Sequence, residues 1–222
     1  MIRLISLILL ILFNCSNLPA QDKAKIGLQS GLNIAWQSVE QKSQDLQPIV
    51  SFNFTGFLDI QLASHVYMQP GLSLQGKGVS SKLDYRIADD SPYKVNMMYL
   101  EIPVNILHKF SAKGLGVVVY GGGPYAAIGI SGRTNRSGGP FNENATSSTA
   151  AFDTYQSTDY GFNLSLGVEL SSKIILRIQQ GIGIFNIAPE SSSFRSENGQ
   201  LTPIPRNDIK NRVSSFSIGY LL

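Results

Sequence analysis

Regular alternation of apolar and polar residues, repeated eight times, predicts an all-β chain: an eight-stranded antiparallel up-and-down meander closed into a transmembrane barrel. Three observations carry that expectation. Most segments have one largely apolar face, interrupted at Ser30 in the first, because successive side chains on a strand point to opposite sides. The connections alternate short and long, with every long one at the same end of the meander. The chain also opens on a secretory leader and is poor in charge, at 15% Asp, Glu, Lys and Arg against roughly a quarter in soluble domains.

The segments follow in order. Ile26–Trp36 sets Ile26, Leu28, Leu32, Ile34 and Trp36 against Gly27, Gln29, Gly31, Asn33 and Ala35. Val50–Leu62 sets Val50, Phe52, Phe54, Leu58, Ile60 and Leu62 against Ser51, Asn53, Thr55, Asp59 and Gln61, with Phe57 interrupting the polar side. His65–Lys77 follows a turn at Ala63–Ser64, and its Pro70, having no N–H to donate, marks a bulge or bend. Asn96–His108 alternates Met98, Leu100, Ile102, Val104 and Ile106 with Tyr99, Glu101, Pro103 and Asn105. A short connection, Lys109–Gly114, leads to Leu115–Ile130, whose Gly121–Gly122–Gly123–Pro124 centre blurs the pattern. Tyr160–Leu170 is the clearest segment, with Tyr160, Phe162, Leu164, Leu166, Val168 and Leu170 on one face. Ile174–Ile187 and Arg212–Leu222 complete the set.

Short connections after the second, fourth and sixth strands contrast with long ones over about 37–49, 78–95, 131–157 and 188–211. Long loops are rare inside compact domains. Short turns at one end and long loops at the other are the anatomy of an outer-membrane barrel, placing the turns in the periplasm and the loops outside. The Gly-, Ser-, Asn- and Thr-rich stretch from Ser131 to Tyr155 is expected to be mobile.

Residues 1–20 read as a signal peptide: Arg3, an apolar run from Leu4 to Phe13, then Leu18–Pro19–Ala20 at a cleavage point. The run is too short to span a bilayer as a helix. Cys15, the sole cysteine, raises the second reading of a lipoprotein signal, although Asn14 stands where a small residue is wanted. Cleavage after Ala20 leaves residues 21–222 as one domain with no disulfide, so stability must come from a core or a closed barrel. The formal charge of +3 falls to +2 without Arg3, too balanced to suggest nucleic acid.

Several segments resemble the PorT-like family of small outer-membrane barrels found in Bacteroidetes-type bacteria. Tyr99-Leu100-Glu101-Ile102-Pro103 is similar to that family's fourth-strand signature. Leu74-Gln75-Gly76-Lys77-Gly78 resembles the end of its third strand, and Val119-Tyr120-Gly121-Gly122-Gly123-Pro124-Tyr125 its fifth. Tyr160-Gly161 through Gly167-Val168-Glu169 fits the sixth. The resemblance spans nearly all of residues 21–222 and implies a barrel of OmpA/OmpX-like size. The family's eponymous member belongs to a gliding-associated protein secretion system, but fold alone assigns no activity.

The inward positions include Asp59, Lys77, Glu101, Glu169 and Arg177. They suit either a selective pore or proton path, or a structural salt-bridge network filling a narrow lumen. The network is preferred, since eight strands leave little room for water. Within it Glu101 is expected to pair with Arg177 first and Lys77 second. His65 and His108 have no ligating partner at metal-site spacing, and Asp89–Asp90 lacks the oxygen spacing of a calcium loop, so neither metal nor cofactor is expected. The triple glycine lacks the Gly-Lys-Ser/Thr of a phosphate loop, no Gly-x-Ser-x-Gly elbow occurs, and His108 has only Ser111 nearby, so no catalytic residue is assigned. Trp36, Tyr120, Tyr160 and Tyr220 stand on apolar faces as candidate interfacial aromatics.

The expectation is therefore a non-enzymatic, monomeric barrel of the cell outer membrane with a filled lumen. Its partners would be outer-membrane lipid, and proteins met through the long loops or a secretion machinery. Two other readings stand beside it. One is a lipocalin-like barrel with its apolar faces turned inward around a ligand; the other is a narrow channel.

Overall fold

The computed structural model describes residues 24–39, 46–81, 93–114, 116–134, 140–141, 155–188, 194–197, 200–203 and 208–222. The proposed signal peptide with Cys15, the Asp89–Asp90 pair and the greater part of 135–154 lie outside the described residues.

The strands are β1 (Ala24–Val39), β2 (Leu46–Gln47), β3 (Ile49–Ala63), β4 (Val66–Ser81), β5 (Tyr93–Ala112), β6 (Gly116–Thr134), β7 (Thr158–Glu169), β8 (Ile174–Gly183), β9 (Phe194–Glu197), β10 (Gln200–Pro203) and β11 (Ile209–Leu221). Eight of them form the wall in the order β4-β3-β1-β11-β8-β7-β6-β5, and β5 pairs back onto β4 to close the ring. Every pairing is antiparallel. β2 adds two residues to β4, and β9 with β10 forms a separate hairpin in the last long connection.

Closure leaves the wall no free edge, and alternation then fixes what faces where. The apolar set points outward: Val50 is 70% exposed, Leu32 60% and Leu164 57%. Alternating with them, Asn33, Asn53, Asn163 and Asp159 are at most 1% exposed inside. This is the reverse of a lipocalin, whose apolar faces line the interior. An apolar belt running round the whole wall has one fitting solvent, the hydrocarbon of a bilayer.

Aromatic side chains border the belt. Trp36 and Tyr160 stand toward the loop end, where Tyr160 meets Phe185 edge-on at 5.6 Å. Tyr120 and Tyr220 stand toward the turn end, where Tyr120 stacks with Phe110 at 5.5 Å and with His108 at 5.5 Å. His65 stacks on Phe110 at 5.9 Å in the same group. Both histidines thus join an interfacial aromatic cluster.

Several boundaries differ from those read in the sequence. β5 runs to Ala112, so Lys109 is an inward strand residue, not part of a turn. β7 begins at Thr158, which brings Asp159 inside. β8 ends at Gly183, and Ile187 turns over the lumen. Pro70 marks no bulge: its pairing with Val104 is in the same register as its neighbours. The register instead slips between Gln61 and Ala63 on β3, and beside Met98–Tyr99 where β6 carries an extra residue.

The triple glycine has a steric cause. A side-chain carbon at Gly121 would land on the carbonyl oxygen of Ile106, at Gly122 on that of Asn163, and at Gly123 on that of Val104. β6 is squeezed between β5 and β7 here, and only glycine admits that approach. Gly122→Val is therefore expected to remove most of the compact, fast-migrating band that a closed barrel gives on an unboiled denaturing gel. Ile128→Val on the outer face should leave that band intact.

Candidate functional site

Among the described residues, buried charge is concentrated in the lumen. Burying a charge costs several kcal/mol unless it is paired, and the inward residues form two clusters. Toward the loop end, Lys77 Nζ sits 3.0 Å from Glu101 Oε2 and 3.0 Å from Asp159 Oδ2. Asn163 donates to Glu101 Oε1 at 3.0 Å, and Asn211 donates to Asp159 Oδ2 at 2.9 Å. The Lys77 ammonium also lies 4.3 Å from the Tyr125 ring centre and 5.1 Å from that of Tyr99, a cation–π enclosure.

Toward the turn end, Lys109 Nζ lies 2.7 Å from Asp59 Oδ2 and 2.6 Å from Glu169 Oε1. Gln69 donates to Asp59 Oδ1 at 2.8 Å, and the Tyr67 ring stands 4.4 Å from the ammonium. Glu169 is the least enclosed of the carboxylates, 15% of its side chain being exposed. Arg177 stacks its guanidinium 5.2 Å from the Phe57 ring centre and makes no ion pair with a described residue.

Between the clusters runs a neutral network. Asn33 donates to Gln75 Oε1 at 2.9 Å and accepts from Asn53 at 2.7 Å and Ser215 at 2.7 Å. Thr55 and Ser73 share a hydrogen bond of 2.6 Å. Apolar groups close the loop end. Tyr155, Ile187 and Ala188 pack with Val95, Met97, Tyr99, Tyr125 and Ile209 over the loop-end cluster. Phe57, Ile175 and Leu221 pack together at the turn end.

Asp59, Lys77, Glu101, Glu169 and Arg177 thus all face inward, but the expected first pairing of Glu101 with Arg177 is not present; Lys77 holds Glu101 instead. Strand stagger is the reason. Arg177 stands opposite Gly167, Gly167 opposite Val119, and Val119 opposite Lys109. That rung meets β5 eight residues nearer the turns than Glu101. Lys77, on the adjoining strand, reaches Glu101 diagonally, since Glu101 stands opposite Ser73. Two members escaped the sequence reading, Lys109 and Asp159. Each continues its strand's inward alternation one step past the boundary drawn: Lys109 after Leu107, Asp159 before Gly161.

Among the described residues no group of three or more His, Cys, Asp or Glu side chains is placed to hold a metal ion. Among the described residues no helix is long and apolar enough to cross a membrane.

A closed antiparallel ring with an apolar belt outside and a hydrogen-bonded polar interior defines an integral barrel of the outer membrane. The chain belongs to the outer membrane protein beta-barrel domain family, whose sequence model matches residues 19–188, and its location is the outer membrane. No curated protein matches it in sequence. Among solved structures it is similar to OprG from Pseudomonas aeruginosa, at 9% identity over 90% of this chain and 96% of that one, with a TM-score of 0.49. Neisserial surface protein A (NspA) matches at 10% identity over 89% and 97%, with a TM-score of 0.45. The attachment invasion locus protein Ail of Yersinia pestis, solved with the heparin analogue sucrose octasulfate, matches at 7% identity over 90% and 99%, with a TM-score of 0.42.

Lys77 carries the loop-end cluster. Lys77→Met strands two buried carboxylates, and a loss of about 3–5 kcal/mol is expected in equilibrium unfolding from lipid vesicles. Lys77→Met combined with Glu101→Gln and Asp159→Asn should recover part of it. Glu169→Gln should cost less than Glu101→Gln, because its carboxylate is already partly hydrated.

Proposed function

We propose that this protein is a non-enzymatic outer-membrane barrel whose lumen is a structural filling and whose working surface is its set of long loops. The observation that carries this reading is the interior itself. Inward side chains bond to one another across the bore, and apolar groups cover the loop end of the charged column. A conducting pore would need a continuous hydrated path, and the packing of Tyr155, Ile187 and Tyr99 over Lys77 argues against one.

The charged side chains are then scaffold. Asp59, Lys77, Glu101, Glu169 and Arg177, with Lys109 and Asp159, hold the strands in register from within. Residues 1–20 serve as the signal peptide that delivers the chain to the envelope, and residues 21–222 are the barrel domain.

The short turns face the periplasm and the long connections face outward. The last of these carries the β9–β10 hairpin, a shape suited to contact with a protein partner. The resemblance of Tyr99-Leu100-Glu101-Ile102-Pro103 and its companion motifs to the PorT-like barrels supports a role beside a secretion or surface-assembly system, with the barrel as a monomeric anchor.

Two measurements test this reading. Purified protein in planar bilayers is expected to give no conductance steps above the lipid baseline; regular single-channel openings would replace the scaffold with a channel. Protease added to intact cells is expected to cut within the long connections and to spare the Lys113–Gly114 turn. Cutting at that turn first would invert the orientation.

A further inference from the structure

Each buried lysine serves two carboxylates, so each cluster carries more acid than base. Lys77 is shared by Glu101 and Asp159, and Lys109 by Asp59 and Glu169. Arg177 is an inward cation, 5% exposed, with no direct carboxylate contact among the described residues. It lines a cavity of about 10 Å³ that also meets Gln29, Gln69, Asn105 and Glu101.

Four buried polar atoms on these walls lack a hydrogen-bond partner among the described residues: Arg177 Nη2, Gln29 Oε1, Gln69 Oε1 and Asn105 Oδ1. Their residues are 1–7% exposed. Leaving one such group unsatisfied costs about 1–3 kcal/mol, and the residues of all four line the same cavity.

The geometry points to a binding site for a single trapped water molecule between the two charged clusters, held by Arg177 and by two of the three amides of Gln69, Asn105 and Gln29. The size agrees, because one water needs roughly 10–15 Å³ measured in this way. The chemistry agrees as well. Water accepts from the Arg177 guanidinium and donates to two of the three amide oxygens. Gln69 cannot satisfy its own oxygen by rotating its amide, since its NH₂ is committed to Asp59.

The bound water links the guanidinium to the acid-rich turn-end cluster, through Gln69 and Asp59. Glu101 lines the same cavity, which places the water between the two charged clusters. A chloride ion is the competing occupant, and the amide oxygens argue against it because they would face an anion. This inference does not depend on what the loops do.

The test uses the full-length folded protein. Crystals are expected to show one solvent peak within hydrogen-bond distance of Arg177 Nη2 and of at least one of Gln69 Oε1, Asn105 Oδ1 and Gln29 Oε1. In detergent or nanodiscs, the side-chain amide protons of Gln69 and Asn105 should show cross-relaxation with long-lived water. Asn105→Gln pushes its amide one methylene further into the cavity and should abolish the solvent peak and the cross-relaxation at Gln69. An empty cavity, a direct Arg177–Glu101 or Arg177–Asp59 contact, or a bromide anomalous peak at the site after soaking would each overturn the proposal. So would persistence of the Gln69 signal in folded Asn105→Gln. Should that variant not fold, the bromide and cross-relaxation measurements on the unmodified protein still decide.

Discussion

In hydrocarbon there is no water to bond a backbone N–H or C=O, and each group left unpaired costs several kcal/mol. An open sheet would expose two rows of such groups. The pairing of β5 with β4, from Val66–His108 to Ser81–Tyr93, removes both rows at once. The other features of the protein follow from this closure. Eight strands fix a narrow bore, the bore fixes how much side-chain volume can enter, and the alternation of each strand decides which residues enter it.

A bore of that width turns polarity into a packing problem. Inward residues cannot be hydrated freely, so they must satisfy one another. The solution is layered: an apolar cap of Tyr155 and Ile187 at the loop end, Lys77 with its two acids, a neutral amide and hydroxyl network around Asn33, then Lys109 with its two acids beside an apolar group of Phe57, Ile175 and Leu221. Lysine at the centre of each acidic pair suits the space, because its long flexible stem reaches diagonally between strands. Even the single inward aromatic of β3 has a use. Phe57 fills the room left by Gly27 and gives Arg177 a face to lie on.

Such an interior leaves little scope for chemistry inside the barrel and moves variation to its ends. Wall strands tolerate change only within the inside–outside code, whereas the long connections are free of it. The proposed working surface, the set of long loops, rests on a wall held from within.

Strand count, face assignment and membrane class were legible in the sequence, because period-2 alternation is a local property and the alternation of short and long connections needs no contact information. Tyr160 to Leu170 declares its faces without reference to any other strand. Strand ends were less legible. Lys109 and Asp159 lie beside the polar outer residues His108 and Thr158 at the ends of their alternating runs, so local pattern stopped one step before the wall did. Pairing across the bore was not legible at all. Whether Glu101 meets Arg177 or Lys77 depends on the stagger accumulated over several ladders, each register being set by its turns and by the slips at Gln61–Ala63 and beside Tyr99. The sequence by itself determined which side chains enter the lumen. Only the closed tertiary structure decided their neighbours there, because height within a barrel is a sum over the whole ring and not a property of any one strand.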